Sequence, residues 1–81
     1  MTVRVKLFAA AREKAAADYA EVDLPSGATI GQLRSALIER IPLLATIVAH
    51  SRLAMNSEFA DDRMAIIAAA DLALIPPVSG G

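Results

Sequence analysis

The segment Thr29-Ile30-Gly31-Gln32-Leu33-Arg34-Ser35-Ala36-Leu37-Ile38-Glu39-Arg40-Ile41-Pro42 carries the strongest helix signal in this 81-residue chain. Thr29-x-x-Gln32 matches a capping box, in which the Thr hydroxyl and the Gln side chain satisfy backbone donors that the first turn leaves unpaired. Ile30, Leu33, Leu37 and Ile41 follow at helical spacing, with Gln32, Arg34, Ser35 and Glu39 turned outward. Pro42 ends the helix, because proline disfavours helical angles for Ile41 before it. One amphipathic helix must bury its apolar stripe against something. The chain on either side of it reads as strands.

Upstream, Val3, Val5 and Leu7 alternate with Arg4 and Lys6, the period-two pattern of a strand with one buried face. Phe8 breaks the pattern and falls by parity on the outer face. Ala9 to Ala17 is an alanine-rich short helix or helical turn. Ala20, Val22 and Leu24 then oppose Glu21 and Asp23 in a second strand closed by Pro25-Ser26-Gly27. Downstream, Leu43 to Ala49 is apolar without a clean period, a short helix or buried connection. His50, a lone imidazole, reads as a surface or loop residue rather than a ligand. Arg52 to Met55 forms a strand, Asn56-Ser57 turns it, and Glu58-Phe59-Ala60 returns. Asp61-Asp62-Arg63 is expected as a solvated loop and not a metal site, since adjacent side chains of an extended chain point apart. After the apolar run Met64 to Ala70, Leu72 and Leu74 share one face of a last strand and Ala73 and Ile75 the other.

These elements predict an α+β domain, a mixed sheet packed on one main helix, with Val3, Val5, Leu7, Ile30, Leu33, Leu37, Leu72 and Leu74 as the core. With the first and last strands side by side, Phe8 and Ile75 become neighbours on the open face, and Phe59 joins them. Such a patch beside the chain's exit from the sheet is an expected docking surface.

That exit is Pro76-Pro77-Val78-Ser79-Gly80-Gly81. Two prolines cannot continue a sheet ladder and hold the chain extended. Glycines present a terminal carboxylate on a backbone thin enough to enter a channel that excludes a Cβ. Six extended residues reach on the order of 20 Å. The expectation is therefore a domain over residues 1–75 and a tail over 76–81. Gly81 is the functional group and Pro76, Pro77, Val78, Ser79 and Gly80 are the stem inserted into a partner. A frayed, inert glycine end is the competing interpretation.

Composition narrows the remaining classes. At 56% hydrophobic residues, 81 residues make one domain. The absence of cysteine excludes disulfides, a thiolate nucleophile and a zinc–thiolate site. Eight basic against nine acidic residues, without charge blocks, argue against nucleic acid. The alternating N-terminus is unlike a signal peptide and no apolar run reaches a membrane span, so a cytoplasmic protein is expected, with no membrane partner.

Val5-Lys6-Leu7-Phe8-Ala9 followed by Arg12-Glu13, Leu53-Ala54-Met55-Asn56 with Phe59 after it, and Asp71-x3-Ile75-Pro76-Pro77-Val78-Ser79-Gly80-Gly81 together resemble the MoaD/ThiS group of ubiquitin-like sulfur carriers, and within it the small subunit of molybdopterin synthase. The resemblance spans the whole chain, and the ending is its most specific part. It implies a ubiquitin-like β-grasp fold. It also implies an ATP-dependent adenylating and sulfurating enzyme that converts Gly81 to an acyl-adenylate and then a thiocarboxylate, and a large subunit that holds the pterin precursor receiving the sulfur. ATP belongs to the activating enzyme, and no cofactor is expected on this chain. Phe8, Phe59 and Ile75 match positions that family members use against partners. Ala70 stands where the family commonly has a glycine, which puts the local turn geometry in question. Two further functions stay open: a sulfur carrier for thiazole and thiamine synthesis, and a ubiquitin-like modifier that forms an isopeptide bond through Gly81.

The chemistry suits a carrier. A carboxylate is a poor electrophile until adenylation supplies a leaving group, after which a sulfur donor can attack the carbonyl. No general base or oxyanion donor stands out, so catalytic groups are expected from the partners and the chain is read as a sulfur donor without an active site of its own.

Overall fold

Alternation sets the face of every strand. In a computed structural model, which describes residues 1–77, the chain runs β1 (Thr2–Leu7), α1 (Ala9–Ala15), β2 (Tyr19–Asp23), α2 (Ile30–Arg40), a 3-10 turn over Pro42–Leu44, α3 (Ala45–His50), β3 (Arg52–Met55), β4 (Glu58–Ala60) and β5 (Leu72–Ile75). The expected stem residues Val78, Ser79 and Gly80, and Gly81 itself, lie outside the described residues. One five-stranded sheet has the order β2-β1-β5-β3-β4. β5 lies parallel to β1 and antiparallel to β3, so the strand that leads to Pro76 occupies the middle of the sheet.

The buried residues of β1, Val3, Val5 and Leu7, meet those of β2, Ala20 and Val22, on the face that α2 covers. Every member of the expected core is buried; Leu44, Val48, Leu53 and Ile66 join it. Burying a side chain such as Leu33 or Leu74, both fully enclosed, contributes about 1.5–3 kcal/mol relative to leaving it in water.

Helix α2 begins where the capping box places it. The Thr29 hydroxyl accepts from the Gln32 N–H at 3.2 Å and the Gln32 side chain accepts from the Thr29 N–H at 2.9 Å. Residues 61–66 then dock against this end. Gly31 donates to the Asp62 carbonyl at 2.8 Å, Ile30 to that of Met64 at 2.9 Å, and Ile66 to that of Ala28 at 2.8 Å. A Cβ at position 31 would meet the Asp62 carbonyl oxygen at 3.1 Å, which explains the glycine there.

Asp61-Asp62-Arg63 is an exposed loop, as expected, but one expectation needs correction here: Arg34 is not simply turned outward. The Arg34 guanidinium donates to both Asp62 carboxylate oxygens, at 2.9 and 3.2 Å, and to the carbonyls of Val48 and Ser51, the latter at 2.8 Å. It ties the end of α3 to the loop across the flank of α2. Asp61, by contrast, takes the Arg63 N–H at 2.8 Å. That backbone bond first, and the nearby Arg63 charge after it, hold the exposed Asp61 carboxyl below its ordinary value of 3.8.

The β3–β4 connection is a tight turn with Asn56 and Ser57 both left-handed, at φ 52 and 69. The Asn56 side chain accepts from the Asp71 N–H at 3.0 Å, and the Asn56 N–H donates to the Asp71 carbonyl at 2.8 Å, so this turn sets the entry of β5. The turn before β5 is left-handed at Ala69, φ 60, and not at Ala70, the position the family resemblance singles out. Among the described residues, no helix is long and apolar enough to cross a membrane.

Candidate functional site

The second face of the sheet carries no helix. Register defines a row straight across it: Tyr19 opposite Lys6, Lys6 beside Ala73, Ala73 beside Ala54, and Ala54 opposite Phe59. One step toward the exit of β5, Ile75 pairs with Arg52. Extending the β1–β5 register past Leu7 and Leu74 sets Phe8 beside Ile75. All three expected interface residues thus belong to one face, and all three line the same groove of about 840 Å³. Phe8 and Phe59 are exposed, at 39% and 53%, and Ile75 is half-buried.

The patch is less purely apolar than parity alone suggests. Arg52 lies over the Phe59 ring at 3.7 Å from its centroid, Arg4 over Tyr19 at 3.7 Å, and Lys6 over Phe8 at 5.2 Å. Each contact is worth about 0.5–1 kcal/mol at an exposed site. Parity had already put Arg4 and Lys6 on the face of Phe8, but only cross-strand register brings Tyr19 and Arg52 onto it. Between the stacked pairs, the methyls of Ala54 and Ala73 floor the groove. Residues 67–70 wall it at one end, while Ile66 of the same segment turns into the core. That assigns the apolar run between Ala65 and Ala70 a place: Ala65 bridges to Thr29, Ile66 plugs the core and Ile67 to Ala70 border the groove.

At the exit of β5, Pro76 and Pro77 follow Ile75 outside any strand. The chain therefore leaves the sheet's centre at the edge of the Phe8–Ile75 patch.

A mixed sheet with parallel central strands, one principal helix on its covered face and this connectivity is a ubiquitin-like β-grasp domain. Residues 5–81 match the ThiS family model. The chain belongs to the ThiS family. It is 34% identical over 79 residues to the molybdopterin synthase sulfur carrier subunit of Arabidopsis thaliana, an alignment covering 98% of this chain and 82% of that protein. The crystal structure of H. volcanii small archaeal modifier protein 1 superposes with a TM-score of 0.83 at 32% identity, over 95% of this chain and 98% of that one. In the protein–protein complex of subunits 1 and 2 of molybdopterin-converting factor from Helicobacter pylori, a chain 21% identical shares the fold with a TM-score of 0.69, each chain covered in full.

Proposed function

We propose that this chain is the sulfur-carrying subunit of a molybdopterin synthase. The observation that supports this most directly is the 34% identity to a molybdopterin synthase sulfur carrier subunit over 98% of the chain. Beside it stands the placement of β5, which delivers Pro76 and Pro77 from the middle of the sheet next to Phe8 and Ile75.

In this reading residues 1–75 are the body and 76–81 the tail. An activating enzyme binds the open face and joins the Gly81 carboxylate to the α-phosphate of ATP, releasing pyrophosphate. A sulfur donor attacks the acyl-adenylate carbonyl and AMP leaves. With a persulfide donor the product is an acyl disulfide, and a thiol that attacks the donor's sulfur releases the thiocarboxylate and leaves a disulfide between that thiol and the donor. The body then docks by Phe8, Phe59 and Ile75 on a large subunit, with Pro76 to Gly80 threading the terminus to the pterin precursor. The subunit pair of the Helicobacter pylori factor is the kind of assembly this requires. The chain supplies the address and the sulfur, and its partners supply the catalytic groups.

A second reading, protein modification through an isopeptide bond from Gly81, has its own support in the likeness to the archaeal modifier protein. Sulfur donation to thiazole synthesis uses the same thiocarboxylate and differs only in the acceptor. Intact-mass measurement after incubation with the activating enzyme, ATP and a sulfur source tests all of these. Replacement of one oxygen by one sulfur, followed by its loss to pterin precursor in the presence of the large subunit, supports the proposal. Adducts on lysines of other proteins support the modifier, sulfur delivered only to a thiazole synthase supports that pathway, and an unchanged mass refutes the carrier.

A further inference from the structure

Arg4, Lys6 and Arg52 share a peculiarity. Among the described residues none of them forms an ion pair with a carboxylate, although Glu21 stands directly opposite Arg4 in the β1–β2 register. Each lies instead over an aromatic ring of the same face. A guanidinium stacked on a ring keeps its N–H donors in the plane, pointing away from the ring, and has lost most of its rotamer freedom already. Such a group binds a carboxylate at lower entropic cost than a free arginine does. In a chain of net charge −1, Arg4 and Lys6 line one groove, and Arg52 lies over Phe59, which lines the same groove. The floor between Lys6 on one side and Arg52 with Phe59 on the other is only Ala54 and Ala73. The carboxylates of this face are Glu21 and Asp23 on the outermost strand β2, of which Asp23 already accepts from the Thr2 hydroxyl, and Asp71 just before β5 at the end of the groove away from Ile75.

We propose that the open face is a receptor for an acidic-edged ridge on the large subunit: apolar side chains seat on the Ala54–Ala73 floor, and flanking carboxylates chelate Arg52 on one side and Lys6 with Arg4 on the other. The inference rests on the molybdopterin synthase reading and adds the chemistry of the partner surface. Phe8, Phe59 and Ile75 provide contact area, and Phe8 and Phe59 also hold the cations in position. The alanines are a size filter, because a larger side chain at either position would lift the ridge off the sheet.

The test is calorimetric titration of the purified large subunit with wild type, Arg52→Leu, Lys6→Leu and Ala73→Phe, each checked for the folded circular dichroism spectrum. From about 0.1 M to about 1 M salt the Debye length shrinks from about 10 to about 3 Å. Wild-type affinity is expected to fall by about tenfold or more over that range. Arg52→Leu and Lys6→Leu each lose about three- to tenfold at low salt and converge on wild type at high salt, whereas Ala73→Phe is weakened at both. Wild-type affinity independent of salt, or leucine variants that bind like wild type at low salt, overturns the carboxylate receptor while leaving the carrier function standing. A wild type that does not bind the large subunit at all refutes the molybdopterin synthase reading and this proposal together.

Discussion

Replacing Arg34 by methionine keeps the length and apolar stem of the side chain but removes a guanidinium that holds four acceptor contacts. The carbonyl of Ser51 loses its 2.8 Å charge-assisted bond. The Val48 carbonyl keeps the weaker bond from the Ser51 N–H at 3.2 Å. Hydrogen bonds to a charged group contribute about 1.5–3 kcal/mol each when buried. Here the Arg34 side chain is 19% exposed, so water can partly replace it, and the loss at the two carbonyls together comes to about 2–3 kcal/mol. The Asp62 carboxylate, 51% exposed, adds at most about 1 kcal/mol. For a domain of this size each kcal/mol lowers the melting temperature by about 4–8 °C. Arg34→Met should therefore melt at least about 8 °C below wild type, and Asp62→Asn only a few degrees below, when unfolding is followed by circular dichroism at neutral pH. The double variant should resemble Arg34→Met, since the pair shares one interaction. Equal losses for Arg34→Met and Asp62→Asn, or an Arg34→Met shift under about 3 °C, would show that the carbonyl contacts do not hold α3 in place.

Other perturbations probe the tail, the open face and the backbone. Deleting Gly81, or extending the chain by one residue beyond it, should abolish sulfur loading in the mass assay while leaving the melting temperature unchanged; retained loading would remove the terminus from the chemistry. Phe8→Asp should weaken large-subunit binding by about tenfold or more with less than about 1 kcal/mol of stability lost, because that ring is already 39% exposed. Ile75→Asp should cost more stability, as Ile75 is half-buried, and a larger thermal loss for Phe8→Asp than for Ile75→Asp would reverse their assigned roles. Ala16 caps α1 at φ 54 and ψ 39, where glycine is free of Cβ strain, so Ala16→Gly should stabilise by about 0.5–1 kcal/mol in urea unfolding; destabilisation would mean that α1 ends differently. The Asp61 carboxyl, held below its ordinary value of 3.8, favours the folded state above that pH and loses its contribution as the pH falls through its folded value. The stability difference between wild type and Asp61→Asn should therefore be present at neutral pH and shrink in acid, and a gap that widens in acid would contradict the sign.

What the sequence revealed follows from which interactions are local. The capping box at Thr29 and Gln32 acts within one turn, and the strand alternation at Val3, Val5 and Leu7 within one strand, so both were legible. The placement of Phe8 and Ile75 on one face followed from parity plus the assumption that β1 and β5 are neighbours, and that of Phe59 from the further assumption that the β3–β4 hairpin adjoins them. Arg34 was misjudged because its acceptors, Ser51 and Asp62, lie 17 and 28 residues away, and helical periodicity reports the face of a residue but not what crosses that face. The stacking of Arg52 on Phe59 needed the β3–β4 register for the same reason. The left-handed backbone at Ala69 was not legible, because that turn carries no glycine or proline to mark it.

The central position of β5 has a mechanical consequence. Three register pairs join it to β1 and four to β3, and inter-strand hydrogen bonds run largely across the strand axis. Tension applied to Pro76 along the strand therefore loads both ladders in shear, with their bonds resisting in concert, whereas an outermost strand such as β4 would peel away one bond at a time. A partner that grips and withdraws the terminus during each catalytic round would be tugging on a strand braced along both of its edges.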